Sequence, residues 1–220
     1  MGCHGSECDV WFTREDSPVI FHDARRNGKL IEETSFAEIR AERLSNGELV
    51  PTLQEYIAEA MKQKKAKLII DIKTFVTDKP RTVALARAVH ALVEKMGAND
   101  WVEYLVGYIP AGAALREMTD LPVAYLGKWE QDDPNASPDN IRAVGLPCID
   151  YQDQQYDRRP EWLPVFKRMG LHLNVWTVNE EKEMDRFLRQ GFNYITTDEP
   201  ERLLKLYQSN KRVYRKALKQ

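Results

Sequence analysis

The sequence predicts an α/β fold, a (β/α)8 barrel of the TIM type that lacks its first β-strand and first helix. Short apolar runs rich in β-branched residues alternate with helical patterns along the whole chain. Carboxylates stand in two of these runs, and barrel active sites lie where parallel strands end. Because no linker or low-complexity tract divides the sequence, we expect residues 1–220 to form a single domain.

Composition and charge are those of an ordinary globular protein. Hydrophobic residues make up 43% and charged residues 30% of the 220, and the formal net charge of −2 indicates neither nucleic acid nor an anionic membrane as a partner. No apolar run approaches the roughly 18 residues of a membrane span. Cys3, Cys8 and Cys148 are too few and too scattered for a disulfide framework or a zinc site. We expect a soluble protein, cytoplasmic as the sequence stands, and secreted or periplasmic if a signal peptide precedes Met1.

The strand count decides between barrel and open sheet. The predicted strands are residues 7–13, 67–73, 102–108, 122–126, 147–151, 172–178 and 193–196. The predicted helices are residues 53–64, 81–96, 111–118, 138–144, 161–168, 180–190 and 199–207. Seven strands of a repeating βα pattern leave two unpaired edges, and one further unit of about 25–30 residues ahead of Met1 would complete a barrel. An open, doubly wound sheet is the alternative.

The pair Glu7 and Asp9 is the first candidate site. Side chains alternate along a strand, so these two carboxylates face one side and Cys8 faces the other. Adjacent carboxylates on an inward face are costly unless they hold a cation or share a proton. Oxygen ligands suit Mg²⁺ or Ca²⁺, so we interpret the pair as part of a divalent cation site. A solvated strand face is the alternative interpretation.

Asp71 and Lys73 repeat this geometry at the end of the apolar run Leu68-Ile69-Ile70. Such a run is typical of a strand buried on both faces, and its C-terminal end is where barrel active sites lie. Both side chains are candidates for the same site. A structural ion pair between them is the alternative.

His22 follows the apolar run Val19-Ile20-Phe21 and precedes Asp23, which can set its tautomer. A histidine here can transfer protons to or from an alcohol or water, and a capped turn is the alternative. His90, within a helical pattern, is expected to be a packing residue.

Trp176 ends the sixth predicted strand, in the run Trp176-Thr177-Val178-Asn179. Its indole suits the wall of a substrate pocket or the protein core equally well. Asn179 is expected to cap the helix that follows.

Several blocks of sequence, taken together, have a familiar order. They are residues 5–16 (GSECDVWFTRED), 18–23 (PVIFHD), 50–53 (VPTL), 68–73 (LIIDIK), 176–179 (WTVN) and 195–200 (ITTDEP). The set resembles the glycerophosphodiester phosphodiesterase family, which shows a Glu-x-Asp strand, a T-x-D-x-x-x-V bridge and a His-Asp pair. The resemblance covers essentially the whole chain.

The resemblance implies a metal-dependent (β/α)8 barrel that hydrolyses glycerophosphodiesters to glycerol 3-phosphate and an alcohol. It implies Glu7, Asp9 and Asp71 as ligands of one divalent cation, Mg²⁺ or Ca²⁺. The third ligand is usually glutamate in the family, so Asp71 is a shorter substitute. His22 corresponds to a proton-transfer histidine and Lys73 to a phosphate-binding lysine, and Trp176 is a substrate-binding candidate.

The family also has a His-Arg-Gly strand end and a Glu-Asn pair, which would lie upstream of Met1. The histidine of the first motif is a second acid/base. We therefore expect the 220-residue chain to have weak or no activity by itself.

Three alternative functions remain open. One is a non-catalytic barrel that acts as a binding module, and another is a phospholipase-like barrel that cleaves phosphodiesters. The third is an unrelated metal-dependent barrel, in which His22 has no ready role. The expected partner is a small-molecule glycerophosphodiester, and the oligomeric state is not predicted.

Overall fold

A computed structural model describes residues 2–41, 43–63, 65–127 and 134–219. The chain divides into two compact units, one formed by His4–Val123 and the other by Ala124–Gln220 together with Met1–Cys3. The single-domain interpretation of residues 1–220 stays a prediction.

The first unit is built on a sheet with the strand order β6-β5-β1-β2. Strands β1, β5 and β6 are parallel, and the short β2 runs antiparallel to β1. Its strands are β1 (Gly5–Phe12), β2 (Pro18–Ile20), β3 (Arg25–Arg26), β4 (Lys29–Leu30), β5 (Lys67–Ile72) and β6 (Val102–Val106). Its helices are α1 (Phe36–Ala41), α2 (Leu53–Ala60), α3 (Arg81–Met96) and α4 (Ile109–Met118), with single 3-10 turns at Ile31–Glu33 and Asn99–Trp101.

One face of the β1–β5 pair is apolar and fully buried. Val10 of β1 and Ile70 and Ile72 of β5 are 0% exposed, which explains why these runs are strongly β-branched. The 16-residue α3 buries one stripe of its surface, including Leu85 and Val89. Because these side chains fill the apolar side, the residues that alternate with them point to the other face.

The second unit contains four parallel strands in the order β7-β8-β9-β10. They are β7 (Val123–Gly127), β8 (Cys148–Gln152), β9 (His172–Trp176) and β10 (Tyr194–Ile195). The helices are α5 (Pro138–Val144), α6 (Asp153–Arg158), α7 (Trp162–Arg168), α8 (Glu181–Arg189), α9 (Pro200–Ser209) and α10 (Lys211–Ala217), with a 3-10 turn at Pro134–Ala136. Packed aromatic rings fill its core; Tyr156 and Phe192 meet edge to face, with centroids 4.8 Å apart.

All seven predicted strands are present, with ends shifted by a few residues. Three helices were missed, α1, α6 and α10, each of only six or seven residues. The helix predicted over residues 53–64 ends at Ala60, and its predicted last residue, Lys64, lies outside the described residues. The side chain of Gln63 closes this end by donating to the carbonyl of Ala60 and accepting from the amide of Ala66.

Among the ranges that the structure describes, no helix combines the length and the apolar character needed to cross a bilayer.

The N-terminus of α2 carries a reciprocal cap. The Thr52 hydroxyl accepts from the Glu55 amide, and the Glu55 carboxylate accepts from the Thr52 amide. Arg40 donates to the same carboxylate from α1. Arg40 and then the Thr52 amide lower the pKa of Glu55 from 4.5 to about 2.

We predict that Glu55→Gln lowers the free energy of unfolding by roughly 0.5–1 kcal/mol at pH 7, because Gln can still accept from the Thr52 amide but lacks the charge that pairs with Arg40. Because folding depresses this pKa, the stabilisation is present above pH 4.5 and is lost as the pH falls towards about 2. Urea unfolding at pH 7 and pH 3 should therefore show a larger difference at pH 7. Glu59→Gln, on the same helix, is the control, and an equal loss at both pH values would contradict the prediction.

Candidate functional site

The register between β1 and β5 builds the site. Asp9 lies directly opposite Asp71, and Glu7 lies two residues earlier on the same side of β1. One oxygen from each of the three carboxylates lies within 4.8 Å of the other two. This acidic cluster, Glu7, Asp9 and Asp71, therefore joins three negative charges drawn from two neighbouring strands.

The ammonium group of Lys73 forms ion pairs with two carboxylates of the acidic cluster. Its Nζ lies 2.5 Å from Asp9 Oδ1 and 2.5 Å from Asp71 Oδ2. The side chains of Asp9 and Asp71 are only 11% and 5% exposed, so water screens these contacts weakly. Burial alone would lower the pKa of Lys73, but Asp71 and Asp9 raise it above its ordinary value. The ion pair foreseen for Asp71 and Lys73 is thus present, and Asp9 shares it.

Glu7 is the exposed member of the acidic cluster. Although the residue keeps solvent-accessible surface, its carboxyl group is partly desolvated beside two other carboxylates. This desolvation, followed by the negative charges of Asp9 and Asp71, raises the pKa of Glu7 from 4.5 to about 8, against a smaller opposite effect of Lys73. Three carboxylates against one ammonium leave the cluster with an excess of negative charge once Glu7 is ionised.

The residue before His22, Phe21, is hydrogen-bonded to β1 at Asp9 of the acidic cluster. The amide of Phe21 donates to the carbonyl of Asp9 at 3.0 Å, so His22 follows directly on a residue bonded to the cluster's own strand. The His22 side chain is 81% exposed, and its Nδ1 lies 2.8 Å from Asp23 Oδ1. Within the described ranges, no hydrogen bond or ion pair joins His22 to the acidic cluster.

Trp176 lies in the second unit, at the end of β9, where its Nε1 donates to the carbonyl of Asp150 at 3.1 Å. The residue is half-buried. The expectation for Asn179 was wrong, since the N-cap of α8 is Glu180. Asn179 instead accepts from the Asp198 amide and donates to the Asp198 carboxylate, which fastens together the segments that follow β9 and β10.

His90 is a packing residue, as the sequence predicted. It is 4% exposed, and its Nδ1 lies 3.0 Å from the hydroxyl of Tyr104.

Sequence reasoning missed a brace beside the site, formed by Glu32 and Arg81. The Glu32 carboxylate is 3% exposed and accepts from the amides of Val76 and Thr77, at 2.9 and 2.8 Å. These amides belong to the segment that follows Lys73. The backbone carbonyl of Glu32 accepts from Arg81 at 3.1 Å.

Arg81 extends this brace to the turn after β1. Its guanidinium donates to the carbonyl of Thr13 at 2.7 Å and to the carboxylate of Asp16. It also lies over the ring of Phe75, 5.0 Å from the centroid. The chain segments that leave β1 and β5 are therefore tied together through buried polar contacts.

Comparison with known proteins decides the family. The glycerophosphoryl diester phosphodiesterase family matches residues 1–202. The chain belongs to this family. A glycerophosphodiester phosphodiesterase of Caldanaerobacter subterraneus is 24% identical over 220 aligned positions, which cover 94% of this chain and 86% of that protein.

Solved structures of family members share the fold. A glycerophosphodiester phosphodiesterase from Parabacteroides distasonis is 32% identical, with a TM-score of 0.87 over 96% of this chain and 86% of that one. A phosphodiesterase from Oleispira antarctica, solved in complex with the product sn-glycerol-3-phosphate, is 19% identical, with a TM-score of 0.77 over 94% of this chain and 86% of that one. The predicted α/β fold of the TIM-barrel class is thus confirmed.

We predict that Glu32→Ala lowers the free energy of unfolding by about 1.5–3 kcal/mol, because two partly buried amides lose a charged acceptor. Glu33→Ala is the matched control; Glu33 is the exposed next residue of the same 3-10 turn and should change stability by less than about 0.5 kcal/mol. Chemical unfolding of both variants measures the difference. Equal effects would show that the brace does not stabilise the fold.

Proposed function

We propose that this chain hydrolyses glycerophosphodiesters to glycerol 3-phosphate and an alcohol, using one divalent cation held by Glu7, Asp9 and Asp71. The proposal is carried by the three carboxylate oxygens within 4.8 Å of one another in a chain of this family. The product named for the Oleispira antarctica phosphodiesterase supports the same chemistry.

The donor set fits a hard cation. All three side chains offer carboxylate oxygen, the ligand type that Mg²⁺ and Ca²⁺ prefer, and the cluster lacks the sulfur or imidazole donors favoured by softer metals. Desolvation, followed by repulsion from Asp9 and Asp71, raises the pKa of Glu7, and a bound dication would favour its ionised form. The short side chain of Asp71 favours an ion that retains water ligands or binds at a longer distance.

Lys73 is suited to bind the phosphate beside the cation site. A cation held by Glu7, Asp9 and Asp71 would supply Lewis acidity, which would stabilise negative charge on the phosphoryl oxygens. Lys73 carries a permanent positive charge at the edge of the cluster, because Asp71 and Asp9 raise its pKa. It is suited to bind a phosphoryl oxygen and to orient the ester for in-line attack.

His22 is suited to move a proton. With Nδ1 bonded to the Asp23 carboxylate, the neutral ring carries its proton on Nδ1, and Nε2 is left as the basic nitrogen. Nε2 can then take a proton from water or from the neighbouring glycerol hydroxyl as it attacks phosphorus. Trp176 is proposed to contact the substrate, consistent with its half-buried position at the end of β9.

We predict that Asp71→Asn weakens cation binding roughly 10- to 100-fold, because a ligand loses its charge beside a retained ammonium. Asp71→Glu, which restores the family's usual ligand, should bind at least as tightly as the unmodified chain. Titration calorimetry with Mg²⁺ and then Ca²⁺ measures both effects and identifies the preferred ion. Asp100→Asn, at a position outside the cluster, is the control. Unchanged binding in Asp71→Asn would exclude the acidic cluster as the cation site.

We predict that the chain releases glycerol 3-phosphate from glycerophosphoethanolamine and that His22→Gln slows this release roughly 10²–10⁴-fold, because the variant lacks a proton-transfer group. His22→Gln should leave the cation affinity unchanged. A coupled glycerol 3-phosphate dehydrogenase assay measures the rate. If both the unmodified chain and the His22→Gln variant bind the cation but neither releases glycerol 3-phosphate, the result would instead favour a binding module.

A further inference from the structure

The net charge of −2 conceals an uneven distribution along the chain. Residues 205–219, here called the basic segment, contain six cationic and no acidic side chains, so the rest of the chain carries a net charge of −8. The cationic residues are Lys205, Lys211, Arg212, Arg215, Lys216 and Lys219. The basic segment begins after residue 202, where the match to the family ends.

The basic segment is a fixed surface. Tyr214 of α10 is fully buried, and its hydroxyl donates to Asp185 Oδ1 of α8 at 2.6 Å. The ring of Tyr214 stacks on Tyr207 of α9, with centroids 6.0 Å apart, and the guanidinium of Arg189 lies over it. Because one side of α10 is docked in this way, its remaining side chains are held facing solvent.

The outward side combines positive charge with aliphatic surface. Arg212, Arg215 and Lys216 are exposed, and none of them forms an ion pair within the described part of the chain. Val213 and Leu218, which lie among these cations, are 45% and 42% exposed. In the part of the chain that the structure describes, only two other large hydrophobic residues are more than one third exposed, Leu49 at 37% and Val76 at 56%. Half of these exposed apolar side chains therefore belong to a single basic helix and the residue after it.

We propose that the basic segment docks the protein on an anionic phospholipid surface. Lysine and arginine attract negatively charged headgroups, while the exposed aliphatic side chains of Val213 and Leu218 enter the boundary of the acyl region. Single-stranded nucleic acid fits less well, since its binding sites present aromatic rings for stacking, and the aromatic ring of α10 is turned inward.

This inference is independent of the proposed hydrolysis, and its test does not use turnover. The full chain is sedimented with vesicles of phosphatidylcholine alone or with about one third phosphatidylglycerol. Binding is expected only to the anionic vesicles, with loss in 1 M salt, where the Debye length falls to about 3 Å. The triple variant Arg212→Gln, Arg215→Gln, Lys216→Gln is expected to bind roughly 100-fold more weakly, about fivefold for each cation removed.

A matched variant tests whether vesicle binding depends on the basic segment or only on the total charge of the protein. Lys62→Gln, Lys65→Gln, Lys95→Gln removes three exposed cations outside the basic segment and is expected to bind vesicles like the unmodified chain. Val213→Thr, Leu218→Gln keeps every charge and is expected to bind at least threefold more weakly. Unchanged circular dichroism and melting temperature confirm that each variant is folded.

The proposal is overturned if neutral and anionic vesicles bind equally, if neither binds, or if the two triple variants behave alike. Tight binding of an oligonucleotide or an acidic polypeptide without vesicle binding would also overturn it. Failure here leaves the hydrolysis proposal untouched, because cation affinity and glycerol 3-phosphate release are measured without vesicles.

Discussion

The repulsion among three carboxylates is the constraint around which the first unit is arranged. Parallel pairing of β1 with β5 places Asp9 opposite Asp71, and the pleat adds Glu7 to the same side. Two of these residues are buried, so their charges are poorly screened and must be offset by a cation at short range. Lys73 supplies one positive charge from within the chain, and this is not enough to neutralise the cluster when Glu7 is ionised. A protein that keeps such an arrangement retains an attraction for a further, external cation.

Holding these charges together requires a rigid surrounding. The apolar faces of β1 and β5 are completely buried, which fixes the two strands laterally. At their ends, the buried carboxylate of Glu32 and the guanidinium of Arg81 connect the segments that leave each strand. The site is therefore held in place by the packed sheet and, beyond the strand ends, by the polar contacts of Glu32 and Arg81. Each charge in the brace has several hydrogen-bond partners, which is the condition under which buried charge stabilises a fold.

Local pattern was enough to predict the seven parallel strands and to single out the acidic residues, but it did not predict the short strands β2, β3 and β4. The alternation in Glu7-Cys8-Asp9 and the apolar run before Asp71 predict which side of the sheet each carboxylate faces. These patterns can be recognised because they depend only on residues that are neighbours along the chain. The register that brings Asp9 opposite Asp71 depends on long-range packing and was not predictable. Glu32 was missed for the same reason, since its partners Val76 and Thr77 lie more than forty positions away. The roles of His22 and Trp176 stay predictions.

The two ends of β1 are held differently. Val10 to Phe12 pair with β2 on one side, and Asp9 accepts from Phe21, whereas Gly5 to Cys8 pair, among the described residues, with β5 alone. The backbone around Asp9 is consequently hydrogen-bonded on both edges of β1, whereas the backbone at Glu7 pairs, among the described residues, on one edge only. In the cation site proposed above, two immobile ligands and one more mobile ligand would let the metal–oxygen distances adjust. Such a site would accommodate ions of different radius, from about 2.1 Å contacts for Mg²⁺ to about 2.4 Å for Ca²⁺.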